Sequence, residues 1–245
     1  NKLVGKETKT LPVLGRFVVI TGLDGAGKST LVNHLFSLYS RKFTVQKVHL
    51  GRPPVTLLTW PIRFILLVRA ILRKSKKSDS SATGSIEDMS PIAALRYLAL
   101  AYERNRLGNK ILCWIARGHI VFSDRYPSNC FGKMDSPRIC QNSSSAFVRW
   151  LAAIEVQLYA TIPAPDLLVE VVVSYETAVK RNAERKKHNK ESDQDLFLRY
   201  SNNANLTYAA KKCIKFENDM PLKEAVHILF NIVWPGQQKR SEEVR

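Results

Sequence analysis

The segment Gly22-Leu23-Asp24-Gly25-Ala26-Gly27-Lys28-Ser29 satisfies the pattern G-x-x-x-x-G-K-[ST], and it constrains the fold more than any other stretch of the 245-residue chain. Glycines in such a loop let the backbone wrap phosphates with its N–H groups turned inward. A helix opening near Lys28 adds the positive end of its dipole. Lys28 can reach the β- and γ-phosphate oxygens of a nucleoside triphosphate, and the Ser29 hydroxyl can ligate Mg²⁺. The expected ATP-binding set is Gly22, Leu23, Asp24, Gly25, Ala26, Gly27, Lys28, Ser29 and Thr30. Such a loop needs a strand before it and a helix after it, and both patterns are present. Arg16 to Thr21 (RFVVIT) is an apolar, β-branched run, and Lys28 to Tyr39 carries Leu31, Val32, Leu35, Phe36 and Leu38 at helical spacing.

The alternation continues along the chain. Thr44 to Leu50, His119 to Ser123, Leu167 to Val173 and the weaker Cys213 to Phe216 read as further strands. Ser90-Pro91, a cap followed by a first-turn proline, predicts a helix through IAALRYLALAYERNRL. Ser143 to Tyr159, Tyr175 to Lys187, Asp195 to Lys211 and Pro221 to Val233 are the other expected helices. Strands alternating with helices predict a single α/β domain over 1–245, built on a five-stranded parallel sheet with helices on both faces. The Ser-rich stretch 75–85 is expected to be a mobile loop, 180–195 a helical lid and 235–245 a flexible tail.

Charge narrows the partners to anions without choosing among them. The chain holds 38 Lys and Arg against 21 Asp and Glu, a net +17. Nucleotides, nucleic acid and an anionic membrane surface all fit such a field. The basic residues concentrate at 63–77, at 180–190 and in the C-terminal tail. Leu57 to Leu72 is strongly apolar but interrupted by Pro61, Arg63 and Arg69, too short and too charged for a membrane span. It reads as a packed helix, with an amphipathic helix on an anionic membrane as the alternative. Cys113, Cys130, Cys140 and Cys213 form no CxxC pair and are read as reduced thiols. With no secretory signal in view, the expected location is cytoplasmic, with a peripheral membrane position as the alternative.

Two further groups bear on chemistry. Asp124-Arg125 follows the predicted strand HIVFS, and ligands of open parallel sheets bind at the carboxyl ends of strands. There Asp124 could hold the Mg²⁺ shell or steer an attacking oxygen, and Arg125 could clamp an acceptor phosphate bidentately. The cationic run Lys180 to Lys190 is the second group. Phosphoryl transfer develops charge that an arginine can neutralise, and Gly25 leaves no cationic side chain at that place in the loop. Arg181 and Arg185 are therefore the candidates for that arginine. The expected catalytic set is Lys28, Asp124, Arg125, Arg181 and Arg185, with Ser29 and Asp124 as metal ligands.

The strings FVVITGLDGAGKST, ARGHIVFSDRY and PAPDLLVEVVVSYETAVKRNAER, in this order, resemble the thymidylate kinase family of nucleoside monophosphate kinases, roughly over residues 16 to 233. The resemblance implies strand order 2-3-1-4-5, a homodimer, and Mg²⁺ with ATP as phosphoryl donor. It also implies acceptor-binding roles for Asp24, at a sugar hydroxyl, and for Arg52, Arg104 and Arg125, with Arg106 competing with Arg104. Arg181 and Arg185 match the lid arginines. Departures fall on the acceptor side. Leu100 stands where the family has an aromatic ring, with Tyr102 nearby, and PSNCFGKMDSPRIC replaces the usual small polar residues after DRY. The resemblance therefore implies ATP- and Mg-dependent transfer to a nucleoside monophosphate, dTMP first among them. The alternatives are a P-loop kinase for another acceptor, such as another nucleotide, a nucleoside, a sugar phosphate or a polynucleotide end, and a nucleotide-binding module that docks on nucleic acid or membrane.

Overall fold

The computed structural model describes residues 14–23, 25–56, 59–61, 89–183 and 206–234. Among them the order is β1 (Arg16–Gly22), α1 (Lys28–Tyr39), β2 (Val45–His49), α2 (Pro91–Ala116), β3 (Ile120–Asp124), α3 (Ala146–Ala160), β4 (Leu167–Val172), α4 (Tyr175–Ala183), β5 (Cys213–Glu217) and α5 (Leu222–Val233). Every strand pairing is parallel. The sheet order is β2-β3-β1-β4-β5, as the family resemblance implies, and the fold is an α/β fold of the P-loop NTPase type.

Burial follows from position in the sheet. Phe17, Val18, Val19 and Ile20 of central β1 are fully buried, and so are Val121 and Phe122 of β3. A parallel strand covered on both faces has no solvent side, so its sequence is a continuous apolar run. The edge strands β2 and β5 are only half covered and carry Gln46, Lys47, Lys215 and Glu217, polar groups suited to an exposed edge. Helices α1 and α5 pack on one face through Leu31, Leu35, Leu229 and Val233 against Val18, Ile20, Phe122 and Val169. Tyr39 closes this core in an aromatic group, its ring 5.4 Å from Phe122 and 5.1 Å from Phe230 between centroids.

The expected start at Ser90-Pro91 holds, whereas the helix expected from Ser143 begins at Ala146 with Ser145 as its cap. The Ser90 hydroxyl accepts from the Ala93 amide at 3.3 Å beside Pro91, and the Ser145 side chain accepts from the Val148 amide at the start of α3. The expected helix Asp195 to Lys211 is corrected at its C-terminal end, since residues 206–211 are not helical. The Lys211 amide donates to the Pro165 carbonyl at 2.9 Å and the Leu168 amide to the Lys212 carbonyl at 2.8 Å. Pairing with β4 thus begins before β5 and overrides the helix preference of Ala209, Ala210 and Lys211.

The chain divides into two compact units. One comprises Asn1–His49, Ile111–Tyr126 and Ala164–Arg245 and contains the whole sheet. The other comprises Leu50–Lys110 and Pro127–Pro163. Its core is made by Ala94, Ile139, Val148, Leu151 and Ala152. The four cysteines are free thiols. Among the described residues no helix is long and apolar enough to cross a membrane. The segment 62–72, the loop 75–85, lid residues 184–195 and the tail 235–245 lie outside the described residues.

Candidate functional site

The phosphate-binding loop is shaped by two glycines with positive φ. Gly22, the last residue of β1, has φ 135°, and a Cβ there would lie 2.2 Å from the Val171 carbonyl oxygen of β4. Gly27 has φ 84° and stands as N-cap of α1 without offering a side-chain acceptor. The first turn of α1 contains no acidic residue. Its amides and the positive end of its dipole are thus left for an external anion. Lys28 is buried and its Nζ donates to the Leu23 carbonyl at 2.5 Å, so the ammonium stays at the mouth of the loop.

Ser29 and Asp124 come together. The Ser29 hydroxyl donates to Asp124 Oδ2 at 2.5 Å, joining the first turn of α1 to the end of β3. Asp124 Oδ1 is buried and has no hydrogen-bond partner among the described residues. An orphaned carboxylate oxygen beside a serine hydroxyl is the donor set that Mg²⁺ accepts, since this ion takes one or two protein oxygens and completes its shell with water and substrate phosphates. Among the described residues no three His, Cys, Asp or Glu side chains cluster into a self-sufficient metal site. The next residue, Arg125, has φ 70°, a left-handed conformation that costs a bulky side chain about 1–2 kcal/mol. It is held there by its amide, which donates to the Ile20 carbonyl at 3.0 Å, and by its own carbonyl, which accepts from the Ser123 hydroxyl at 2.9 Å.

Arg181 of α4 reaches the same loop. Its Nη2 donates to the Asn218 carbonyl at 2.9 Å, while its Nη1 is buried with no acceptor among the described residues. That Nη1 lies 3.8 Å from where a Cβ of Gly27 would stand. Asn218 in turn donates from Nδ2 to the Ala26 carbonyl at 2.8 Å. Gly25, Gly27, Thr30, Arg181, Asn218 and Met220 are among the residues lining a cavity of about 280 Å³, near the lower end of the range of small-molecule sites. Beside Asn218, Asp219 accepts from the Ser174 amide at 3.1 Å. Hydrogen bonds from Thr177 and Ser174 hold its carboxyl below the usual range, with the positive charge of Arg181 adding to the effect. Sequence reasoning missed Asn218 and Met220. Both follow the carboxyl end of β5, where the rule that singled out Asp124 would have found them.

The remaining expected residues are placed differently. Asp24 and Arg185 lie outside the described residues. Arg52 and Arg104 belong to the second unit, where Arg52 is exposed and Arg104 is 2% exposed. Arg104 Nε donates to Leu50 O at 2.9 Å, Nη1 to Asp135 O at 3.2 Å and to the Tyr159 hydroxyl, and Nη2 to Gly51 O at 3.4 Å and Asp135 Oδ1 at 2.7 Å. Every N–H of the guanidinium therefore has an acceptor. Burial raises the Tyr159 phenol, against the lowering charge of Arg104. Its competitor Arg106 is exposed on the same helix, and Leu100 and Tyr102 are half-buried.

No family model matches the chain. It is 25% identical over 173 residues to the "Uncharacterized ATP-binding protein YghS" of Escherichia coli (strain K12), a match covering 68% of this chain and 73% of that protein. It is 26% identical over 192 residues to the "Uncharacterized ATP-binding protein YghR" of the same strain, covering 74% of this chain and 73% of that protein.

Proposed function

We propose that the chain binds ATP at Gly22 to Thr30 and transfers its γ-phosphoryl group to a phosphate oxygen of a nucleoside monophosphate, with dTMP the leading acceptor. The names of the two relatives also describe those proteins as ATP-binding. The observation that carries the reading is the hydrogen bond between Ser29 and Asp124, with the second oxygen of Asp124 buried and unpaired. A loop that merely turned the chain would have no use for an uncompensated carboxylate at the C-terminal end of a central strand.

In this reading Ser29 and Asp124 would hold the Mg²⁺ that comes with the nucleotide. Bound there, the ion would supply positive charge against the phosphates. The amides of the loop and of the first turn of α1 bind the phosphate chain, and Lys28 moves from the Leu23 carbonyl to the β- and γ-oxygens. The bond between the γ-phosphorus and its bridging oxygen breaks, and one forms to the acceptor oxygen, leaving ADP and a nucleoside diphosphate. The unpaired Nη1 of Arg181 takes up charge developing on the transferred group, with Arg185 as the second lid arginine. Asp24, Arg52 and Arg125 serve the acceptor.

A second reading, a P-loop kinase for a different acceptor, is favoured by Asp135. It lies in the segment that departs from the family and its carboxylate engages Arg104. One experiment separates the two: ADP release from MgATP with and without a panel of nucleoside monophosphates, nucleosides and sugar phosphates. Stimulation by dTMP, with dTDP formed, supports the first reading, and stimulation by another acceptor alone supports the second. Slow hydrolysis indifferent to every acceptor would reject transfer and leave a nucleotide-binding module.

A further inference from the structure

Arg104 is the centre of a closed network inside the second unit. Its guanidinium ties the turn at Leu50 and Gly51 to Asp135 and Tyr159, which belong to two separate stretches of chain. The ion pair with Asp135 is 2.7 Å long, with the side chains 3% and 12% exposed. Asp135 has φ 61°, so its carbonyl and carboxylate both turn onto the same arginine. Tyr159 passes the contact on to the Ser136 carbonyl at 3.3 Å. The residue after Gly51 is Arg52, which is exposed.

We infer that Arg104 is a positioning residue, which together with Asp135 fixes the Leu50–Gly51 turn and thereby the Arg52 guanidinium, and that it is not itself a ligand of the acceptor. This inference rests on the proposed transfer reaction, with Arg52 as the acceptor contact. An arginine whose five N–H groups are already satisfied would have to abandon buried acceptors to bind a ligand, and each abandoned partner would be left unpaired. The same geometry turns Asp135 into a specificity device: by holding Arg104 it leaves recognition of the acceptor phosphate to arginines outside the network.

The two roles of Arg104 predict opposite signs for one substitution. Asp135→Asn keeps the shape and suits a left-handed backbone, yet removes the charge that holds the guanidinium. If Arg104 positions the turn, the acceptor KM rises on the order of tenfold while the KM for MgATP is unchanged. Amide hydrogen exchange over 50–52 becomes faster in the same variant. Tyr159→Phe shifts both quantities in the same directions by less. An acceptor KM that falls, because a released Arg104 now binds the acceptor, would overturn the inference, and so would unchanged exchange at 50–52. If the unsubstituted protein transfers to no acceptor, the proposed reaction itself has failed, and the exchange measurement alone decides the positioning role.

Discussion

Arg181 and Asn218 meet at the carboxyl edge of the sheet, Arg181 Nη2 donating to the Asn218 carbonyl while Nη1 is buried without an acceptor among the described residues. One half of the guanidinium is anchored and the other half is not. Burying an N–H of a cation without a partner is costly, and such a group persists where a ligand supplies the missing acceptor. Replacing Arg181 by Ala is expected to lower kcat about 10²–10³-fold, the usual cost of losing one charge-stabilising donor. Arg181→Lys should recover little, because one ammonium cannot keep the anchor and serve the ligand together. Steady-state ADP release by both variants checks this, and a kcat within twofold of the unsubstituted protein would remove Arg181 from the chemistry.

The pair Ser29 and Asp124 predicts a metal dependence. Ser29→Ala removes the proposed hydroxyl ligand, and Asp124→Asn removes the carboxylate charge beside it. Both are expected to raise the Mg²⁺ concentration that half-saturates activity by about tenfold or more, the cost of a lost charged contact. Titration of Mg²⁺ at fixed ATP measures the effect, and chelation of the metal should abolish turnover in all forms. An unaltered Mg²⁺ titration curve in both variants would contradict the proposed ligand roles.

Asn218 tests the support of the loop rather than its chemistry. Asn218→Ala leaves the Ala26 carbonyl without its donor, which should cost about 1–3 kcal/mol in urea unfolding and weaken ATP binding. Asn218→Asp would set a carboxylate against that carbonyl and be worse than the alanine. Equal stability of the alanine variant and the unsubstituted chain would show that the loop is held by other contacts.

What could be read in advance was whatever depended on neighbours in sequence. The strand β1, the loop and α1 announce themselves through one apolar run, three glycines and a helical stripe. Asp124 was found because it follows directly on an apolar strand. Asn218 was not, because β5 is an edge strand with a half-polar pattern, and its end drew no attention. The network around Arg104 was beyond reach, since its acceptors come from Leu50, Gly51, Asp135 and Tyr159, and four of its five bonds end on backbone oxygens or a hydroxyl that carry no charge pattern. The end of the expected helix at 206–211 failed for the opposite reason: a sound local preference lost to strand pairing.

Two glycines with positive φ should differ sharply on substitution. Gly22→Ala places a Cβ 2.2 Å from the Val171 carbonyl, a backbone atom fixed by the sheet, whereas a Cβ on Gly132 at φ 75° meets nothing within 4 Å. Gly132→Ala is expected to cost only the backbone strain, about 1–2 kcal/mol. Gly22→Ala adds a clash that β1 and β4 can relieve only by separating, and the expected outcome is loss of soluble folded protein. Thermal unfolding of the two variants side by side decides it, and similar melting temperatures would contradict the register Gly22↔Val171.

Glu155 gives a dependence on pH. It is 1% exposed, and burial raises its carboxyl above the ordinary 4.5, although the amides of Ile139 and Arg138 donate to it and pull the other way. In the unfolded chain it ionises at the ordinary value, so the folded state binds the proton more tightly than the unfolded state does. Its contribution to stability is therefore fully present below about pH 4.5 and is lost as pH rises through the higher folded value, by about 1.4 kcal/mol for each unit of separation. Glu155→Gln keeps an oxygen for the two amides and cannot ionise. The variant should gain stability relative to the unsubstituted chain as pH rises from about 4.5 toward neutrality, and the two should converge in acid. Urea midpoints across that range measure the difference, and a gap that narrows with rising pH would mean that the amide hydrogen bonds outweigh burial at this site.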